Sequence, residues 1–299
     1  MRLFVRLSFA AIVSTALFSA PAMADDETVA QGVFNKDNYP LETIHRPLTL
    51  VGGMLSIQGD TFRMGLNAPD PYDFADPMVL APDILYGVNG QLTVGLVHTN
   101  RFGNIAPAGF CVSSKQPDGI CYKGYNAAGL EAIYALTRGG NVGLAFHGGL
   151  SSPAFKFPTA DGDEFLMGID AGMTIRGKGG KIAVVLDPSV YINAIGRDFL
   201  KDYLFVPLDI QYQLNAQTMV YLSSGFNGPM SGLGKAYQIP VGIGANFAAN
   251  NRIDFGAEIE VENAAGKDLD PADAPDPLPL RGPEKFDFVT FIARLAIRI

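Results

Sequence analysis

Side-chain character in this chain alternates with a period of two, and the alternating stretches are joined by tight turns. Around Asn89-Gly90, a pair that two-residue hairpin turns prefer, Ile84, Tyr86 and Val88 lead in and Leu92, Val94 and Leu96 lead out. The residues between them, Leu85, Gly87, Thr93, Gly95 and Val97, form a smaller and more polar set. Neighbouring residues of a strand point to opposite faces, so this pattern predicts a hairpin with one apolar and one mixed face.

The same grammar repeats. Ala128, Leu130, Ala132, Tyr134 and Leu136 precede Arg138-Gly139-Gly140-Asn141, and Val142, Leu144 and Phe146 follow. Phe165 to Ile175 and Ile182 to Ile192 flank Gly177-Lys178-Gly179-Gly180, and Leu204 to Leu214 lead into Asn215-Ala216-Gln217, after which the phase of Met219 to Ser224 is ambiguous. Ile239 to Phe247 and Ile253 to Ile259 flank Asn250-Asn251, and Val289 to Ile299 form a last strand. In the first strand, Gly53 to Leu66, the apolar residues switch from odd (Leu55, Ile57) to even (Phe62, Met64, Leu66) near Asp60, which predicts a β-bulge. One opening strand, five hairpins and one closing strand make about twelve strands of an all-β fold.

Between hairpins the connections are longer, covering about 67–77, 99–125, 149–164, 193–202, 225–236 and 261–285, and they carry most of the Pro, Asp, Asn and Ser. Short turns alternating with long loops are the asymmetry of a closed antiparallel up-and-down transmembrane β-barrel, with short periplasmic turns and long extracellular loops. A soluble β-sandwich also buries one face of each strand, but its water-facing side would be rich in Lys, Glu, Thr and Ser. Here that side carries Gly87, Gly95, Gly129, Gly143, Gly168, Gly172, Gly242, Gly244 and Gly256. Tyr86, Tyr134, Tyr212 and Phe247 sit in the apolar phase just before short turns, where an aromatic girdle at the periplasmic interface would lie.

The start of the chain predicts export. Arg2 and Arg6 precede the apolar run Leu7 to Leu17, and Ala22-Met23-Ala24 has the small-x-small form of a cleavage site, so residues 1–24 read as a signal peptide. Residues 25–46 read as a periplasmic leader and 47–299 as the barrel. After residue 24 every apolar run is interrupted by Gly, Asn, Asp or Pro, which excludes a helical membrane protein. A formal net charge of -8 argues against nucleic acid as a partner.

From about Pro47 to Ile299 the chain resembles Gram-negative outer-membrane β-barrels, porin-like channels included. The segment Phe288-Val289-Thr290-Phe291-Ile292-Ala293-Arg294-Leu295-Ala296-Ile297-Arg298-Ile299 looks like the amphipathic closing strand those proteins present to the barrel assembly machinery, although Ile299 departs from the usual aromatic ending. The resemblance implies outer-membrane lipid and lipopolysaccharide as surroundings, and no cofactor. It points to no particular oligomeric state.

The inward phase would carry the acids Asp60, Asp83, Glu131, Asp170, Asp187, Asp209, Asp254, Glu258 and Glu260 and the bases Arg63, Arg176, Lys181, Arg252, Arg294 and Arg298. An excess of carboxylates along a hydrated lumen favours small polar or cationic solutes. Opposite charges facing each other across a narrow lumen would instead pair and plug it, leaving a structural or adhesive barrel whose outer loops bind a partner. Twelve strands lie between filled and open barrels, so size leaves both readings standing.

Cys111 and Cys121, both in the loop 99–125, are expected to form a disulfide in an oxidising compartment, and no metal site is expected there. Of the three histidines, His45 precedes the barrel, His98 falls in the lipid-facing phase and His147 points inward. A barrel hydrolase would need His147 to work with Ser151 or Ser152, and no motif places a nucleophile, base and orienting acid together. The Pro-rich acidic stretch Lys267 to Pro277 reads as a solvated outer loop that could also bind divalent cations between lipopolysaccharide headgroups.

Overall fold

The computed structural model describes residues 34–59, 62–67, 78–98, 109–113, 124–125, 127–137, 139–159, 162–198, 202–231, 233, 237–267 and 289–299. Among them, twelve antiparallel strands close into a barrel. Strand β1 comprises Leu55–Gln58 and Phe62–Asn67, β2 Met78–Leu80 and Asp83–Asn89, β3 Leu92–Val97 and Phe110–Ser113, and β4 Gly124–Tyr125 and Ala128–Ala135. Then come β5 (Val142–Thr159), β6 (Gly162–Gly179), β7 (Ile182–Leu186 and Ser189–Ile195) and β8 (Tyr203–Gln213). The last four are β9 (Thr218–Pro229), β10 (Val241–Ala248), β11 (Ile253–Val261) and β12 (Val289–Arg298). Each strand pairs with its sequence neighbours, and β12 returns to β1 through Ser56↔Arg298 and Phe291↔Met64. Where neighbouring strands pair on both sides around the full ring, closure removes open strand edges, the condition for placing a sheet in hydrocarbon.

The alternation becomes an outside and an inside. Leu130, Ile169, Leu222, Ile243 and Ile259 are exposed on the outer surface, Ile243 by 67%, while Ala183, Tyr191, Asn193, Gln213 and Asp254 on the inward phase are buried. An apolar outer surface around a polar interior inverts the usual order of a soluble protein, and it satisfies both faces only if hydrocarbon surrounds the wall.

Asparagine side chains close three of the short turns. Asn89 Oδ1 accepts from the amides of Gln91 (2.8 Å) and Leu92 (2.9 Å), Asn215 Oδ1 from Gln217 (2.9 Å) and Thr218 (3.0 Å), and Asn250 Oδ1 from Arg252 (2.8 Å) and Ile253 (2.9 Å). These side chains imitate a backbone carbonyl, which is why Asn marks such turns. The other two contain Gly140 (φ 87°) and Gly180 (φ 56°), in the left-handed region that suits glycine.

The switch of phase in β1 is a bulge. Ile57 pairs with Ile297 and Phe62 with Ala293, so β1 takes one residue more than β12 over the same stretch, with Gly59 at φ 108° beside it. Asp60 itself lies outside the described residues.

Two expectations need correction, and one ambiguity is resolved. The connection expected over 149–164 is mostly strand: β5 runs to Thr159 and β6 starts at Gly162, so these 18-residue strands meet with two residues between them. Likewise Phe110–Ser113 and Gly124–Tyr125 extend β3 and β4 inside the loop expected over 99–125. Strands this far from the short turns rise beyond the apolar band, where water on both sides removes the pressure to alternate. In β9 the phase is regular after all. Val220 and Leu222 pair with the outward Tyr212 and Ile210, while Met219 and Tyr221 point inward and blur the pattern because the barrel interior offers them apolar partners.

Candidate functional site

The leader expected over residues 25–46 is described from Phe34 onward, and there it is folded inside the turn-side end of the barrel. A 3-10 turn, Thr43–His45, carries Ile44 to complete burial against Ala183 and Met219, with Tyr221 beside them. Tyr39, Leu50, Val51 and Met54 pack on Leu85 of β2. Inward Met219 and Leu85 are therefore large because this segment lies on them. At Gly87 a Cβ would meet the carbonyl oxygens of Val51 and Leu50, so the wall needs glycine to admit the chain.

Hydrogen bonds tie the segment to strands all round the mouth. Leu50 N donates to Thr93 Oγ1 (2.8 Å), Thr49 Oγ1 to the carbonyl of Gly90 (3.1 Å), Asn246 Nδ2 to Thr43 Oγ1 (3.1 Å) and Ile44 N to Gln213 Oε1 (3.5 Å). Arg46 is the centre of this arrangement. Its guanidinium forks onto both carboxylate oxygens of Asp254 on β11, with Nη2 to Oδ1 at 2.9 Å, and its Nε and Nη2 also donate to the carbonyls of Pro40 and Leu41 (3.0 Å each). Arg298 donates to the same Asp254 (2.6 Å). From β6, nearly across the barrel, Arg176 Nη1 donates to the carbonyl of Arg46 (2.6 Å). The Arg46 and Arg298 guanidiniums lie 5.7 and 5.3 Å from the Tyr39 ring centroid. Burial pushes the Tyr39 phenol above its ordinary range, against the pull of these two cations.

Beyond the segment, on the side of β8 to β12, the lumen holds a cavity of about 440 Å³ bounded by Thr43, Arg46, Asp209, Tyr221, Glu258 and Glu260, among others. The register Asp209↔Ser223, Ser223↔Gly242 and Gly242↔Glu260 puts two carboxylates at one level of the wall. Glu258 pairs with Arg294 (2.5 Å) and accepts from Tyr221 Oη (3.1 Å) and from Ser223 Oγ. Tyr221 fits because Gly244 faces it, where a Cβ would strike its ring. Further from the turns Arg63 bridges Glu260 (3.4 Å) and Glu262 (3.2 Å), and Thr290 Oγ1 donates to Glu262 (2.8 Å).

On the opposite wall a second cluster spans β4 to β7. His147 Nε2 lies 2.9 Å from Asp187 Oδ1 and its Nδ1 3.4 Å from Glu131 Oε1, and Thr174 Oγ1 donates to Asp187 (2.9 Å). One donor atom each from Glu131, His147 and Asp170, all three buried, lies within 4.8 Å of the others. Chemically this set could share a proton or take a cation. Ser151 Oγ donates to Asp170 (3.4 Å) and Ser152 Oγ to the carbonyl of Leu166 (2.6 Å), so both hydroxyls are committed away from His147. Gly172 leaves the space that the imidazole fills.

Other residues singled out by sequence are spread over the wall. Asp83 is buried and accepts from His98 N (2.6 Å). His98, in the lipid-facing phase by sequence, is buried: Phe110 and Tyr125 cover its ring, whose nitrogens meet the carbonyl of Pro82 (2.6 Å) and Tyr125 Oη (2.5 Å). Lys181 and Arg252 sit at short turns, exposed, Lys181 donating to the carbonyl of Leu214 (3.3 Å). Tyr86, Tyr134, Tyr212 and Phe247 face outward beside short turns, and Phe146 and Phe255 join them through the pairs Tyr134↔Phe146 and Phe247↔Phe255. Cys121 lies outside the described residues, as does the stretch 268–277, and Cys111 stands in β3 opposite Gly124. Sequence reasoning missed Arg46, Tyr39 and Ile44 altogether. The signal that could have found them is the large apolar residues Leu85 and Met219, on the inward phase beside short turns.

The fold is similar to that of an outer membrane channel from Pseudomonas putida F1, at 13% identity and a TM-score of 0.52, over 85% of this chain and 97% of that one. Lesser likenesses are to the KdgM porin (9% identity, TM-score 0.43, 82% of this chain and 98% of that one) and to OmpT, an outer membrane protein of Vibrio cholerae (12%, 0.39, 83% and 96%). No family model matches the chain, and no curated protein does. The first likeness shows a shared barrel fold.

Proposed function

We propose that the chain is an outer-membrane barrel acting as a narrow channel for small polar or cationic solutes. The observation that carries this reading is the cavity of about 440 Å³ inside the wall, bordered by Asp209, Glu258 and Glu260. A space of this size suits a small hydrated solute, and carboxylates lining it favour cations over anions. The fold shared with a channel of Pseudomonas putida F1 agrees with it. On this reading the apolar belt contacts outer-membrane lipid, the outer ends contact lipopolysaccharide, and the barrel assembly machinery inserts the chain. Planar-bilayer recording of the folded full chain tests it: discrete conductance steps are expected, and a silent bilayer from well-folded protein would sink it.

One observation favours a second reading, a closed barrel whose outer loops bind a partner. The segment around Ile44 crosses the turn-side mouth with that side chain fully buried. A silent bilayer together with loss of partner binding on deleting an outer loop would support this reading.

A further inference from the structure

We infer that the segment carrying Tyr39 to Leu50 is a displaceable plug, and that Arg46 is the strut that holds it across the turn-side mouth. The inference rests on the channel reading and supplies its regulation.

The wall does not need the segment. The twelve-strand ladder closes on itself from β12 to β1, and residues 34–54 contribute no strand to it. The segment can therefore leave without opening a sheet edge, as a locally stable unit distinct from the barrel. What it covers is mainly polar: Thr93, Arg176, Gln213, Asn246 and Asp254 each meet it through a hydrogen bond. Those groups regain water when it departs. Departure also uncovers apolar surface, where Ile44 rests on Ala183 and Met219 and where Tyr39 and Leu50 rest on Leu85, so these contacts and the polar anchors together hold the segment seated.

Arg46 makes the closed position specific. Its guanidinium grips Asp254 on β11 while its carbonyl takes the Arg176 guanidinium from β6. One residue thus bridges nearly opposite walls, and its fork also fixes the turn at Pro40 and Leu41. Bidentate guanidinium-carboxylate geometry holds one orientation strongly, and without Arg46 the Asp254 carboxylate keeps Arg298 while the segment loses its charged anchor. The equilibrium between seated and displaced segment is therefore set at this pair.

Thr43 and Asn246, whose side chains already touch at 3.1 Å, allow the seat to be locked. In the full chain carrying Thr43→Cys and Asn246→Cys, oxidation with the crosslink located by mass spectrometry is expected to lower bilayer conductance at least about tenfold, with recovery on reduction. Arg46→Gln, with retained barrel folding shown by heat-modifiable migration, is expected to raise open probability by about tenfold or more. If the located crosslink and Arg46→Gln both leave wild-type currents unaltered, the segment does not gate and the plug is overturned while the channel stands. If every form is silent, reduced double-cysteine and Arg46→Gln proteins included, although folded, the channel reading falls and takes the plug with it.

Discussion

Side chains on this wall are chosen by what lies on the far side of the backbone. Ile243 stands on β10 between Leu222 and Ile259, the most exposed of the large apolar residues on the outer surface. In hydrocarbon an arginine there costs about 2–4 kcal/mol near the middle of the bilayer, whereas on a water-facing surface it costs almost nothing. Ile243→Arg should therefore lower the free energy of unfolding from lipid vesicles by about that amount, read from urea titration. An unchanged midpoint would deny the lipid contact. Inside, the same reasoning makes glycine a spacing device: Gly172 admits the imidazole of His147 and Gly244 the ring of Tyr221.

Hairpins join these residues into a register. Asn215 holds the β8 to β9 turn through two amides, and the same geometry recurs at Asn89 and Asn250. Asn215→Ala removes both bonds on an exposed turn, where water replaces them, so the cost should be about 1 kcal/mol in vesicle unfolding. A loss well above that would mean the turn sets the strand pairing by itself. The outer ends obey another rule. There β5 and β6 continue past the apolar band as a long hairpin, with register shifts near Glu164 and Leu166, because strand pairing persists where lipid no longer dictates side-chain phase.

Closing the sheet creates properties that no hairpin has. Carboxylates from β8 and β11, separated in sequence, meet at one level of the lumen, and Arg294 and Arg63 compensate them in part. Replacing Asp209, Glu258 and Glu260 together with Asn, Gln and Gln should therefore shift selectivity towards anions, seen as a displaced reversal potential in a potassium chloride gradient. An unmoved reversal potential would show that permeating ions do not pass these residues. Guanidinium-carboxylate contacts run along the axis of the molecule, from Arg46 and Arg298 on Asp254 at the turn-side mouth to Arg294 on Glu258 and Arg63 on Glu260 further in.

Strand number, the inward and outward faces, the short turns and the bulge near Asp60 were written in local sequence, because each follows from a neighbour one or two residues away: alternation, an Asn or Gly, a change of parity. The fate of residues 34–54 was not. Nothing periodic marks that segment, and its partners, Gln213, Asn246 and Asp254, are about 170 to 210 positions distant. The phase of β9 was hidden for the same cause, since Met219 is large only because Ile44 comes to rest on it. Which charges pair was partly decided by closure, since Arg63 on β1 meets Glu260 on β11 only once β12 has returned to β1. Local pattern determines a wall, since its two solvents act on each residue separately; what stands inside the wall depends on contacts that exist only after the cylinder has closed.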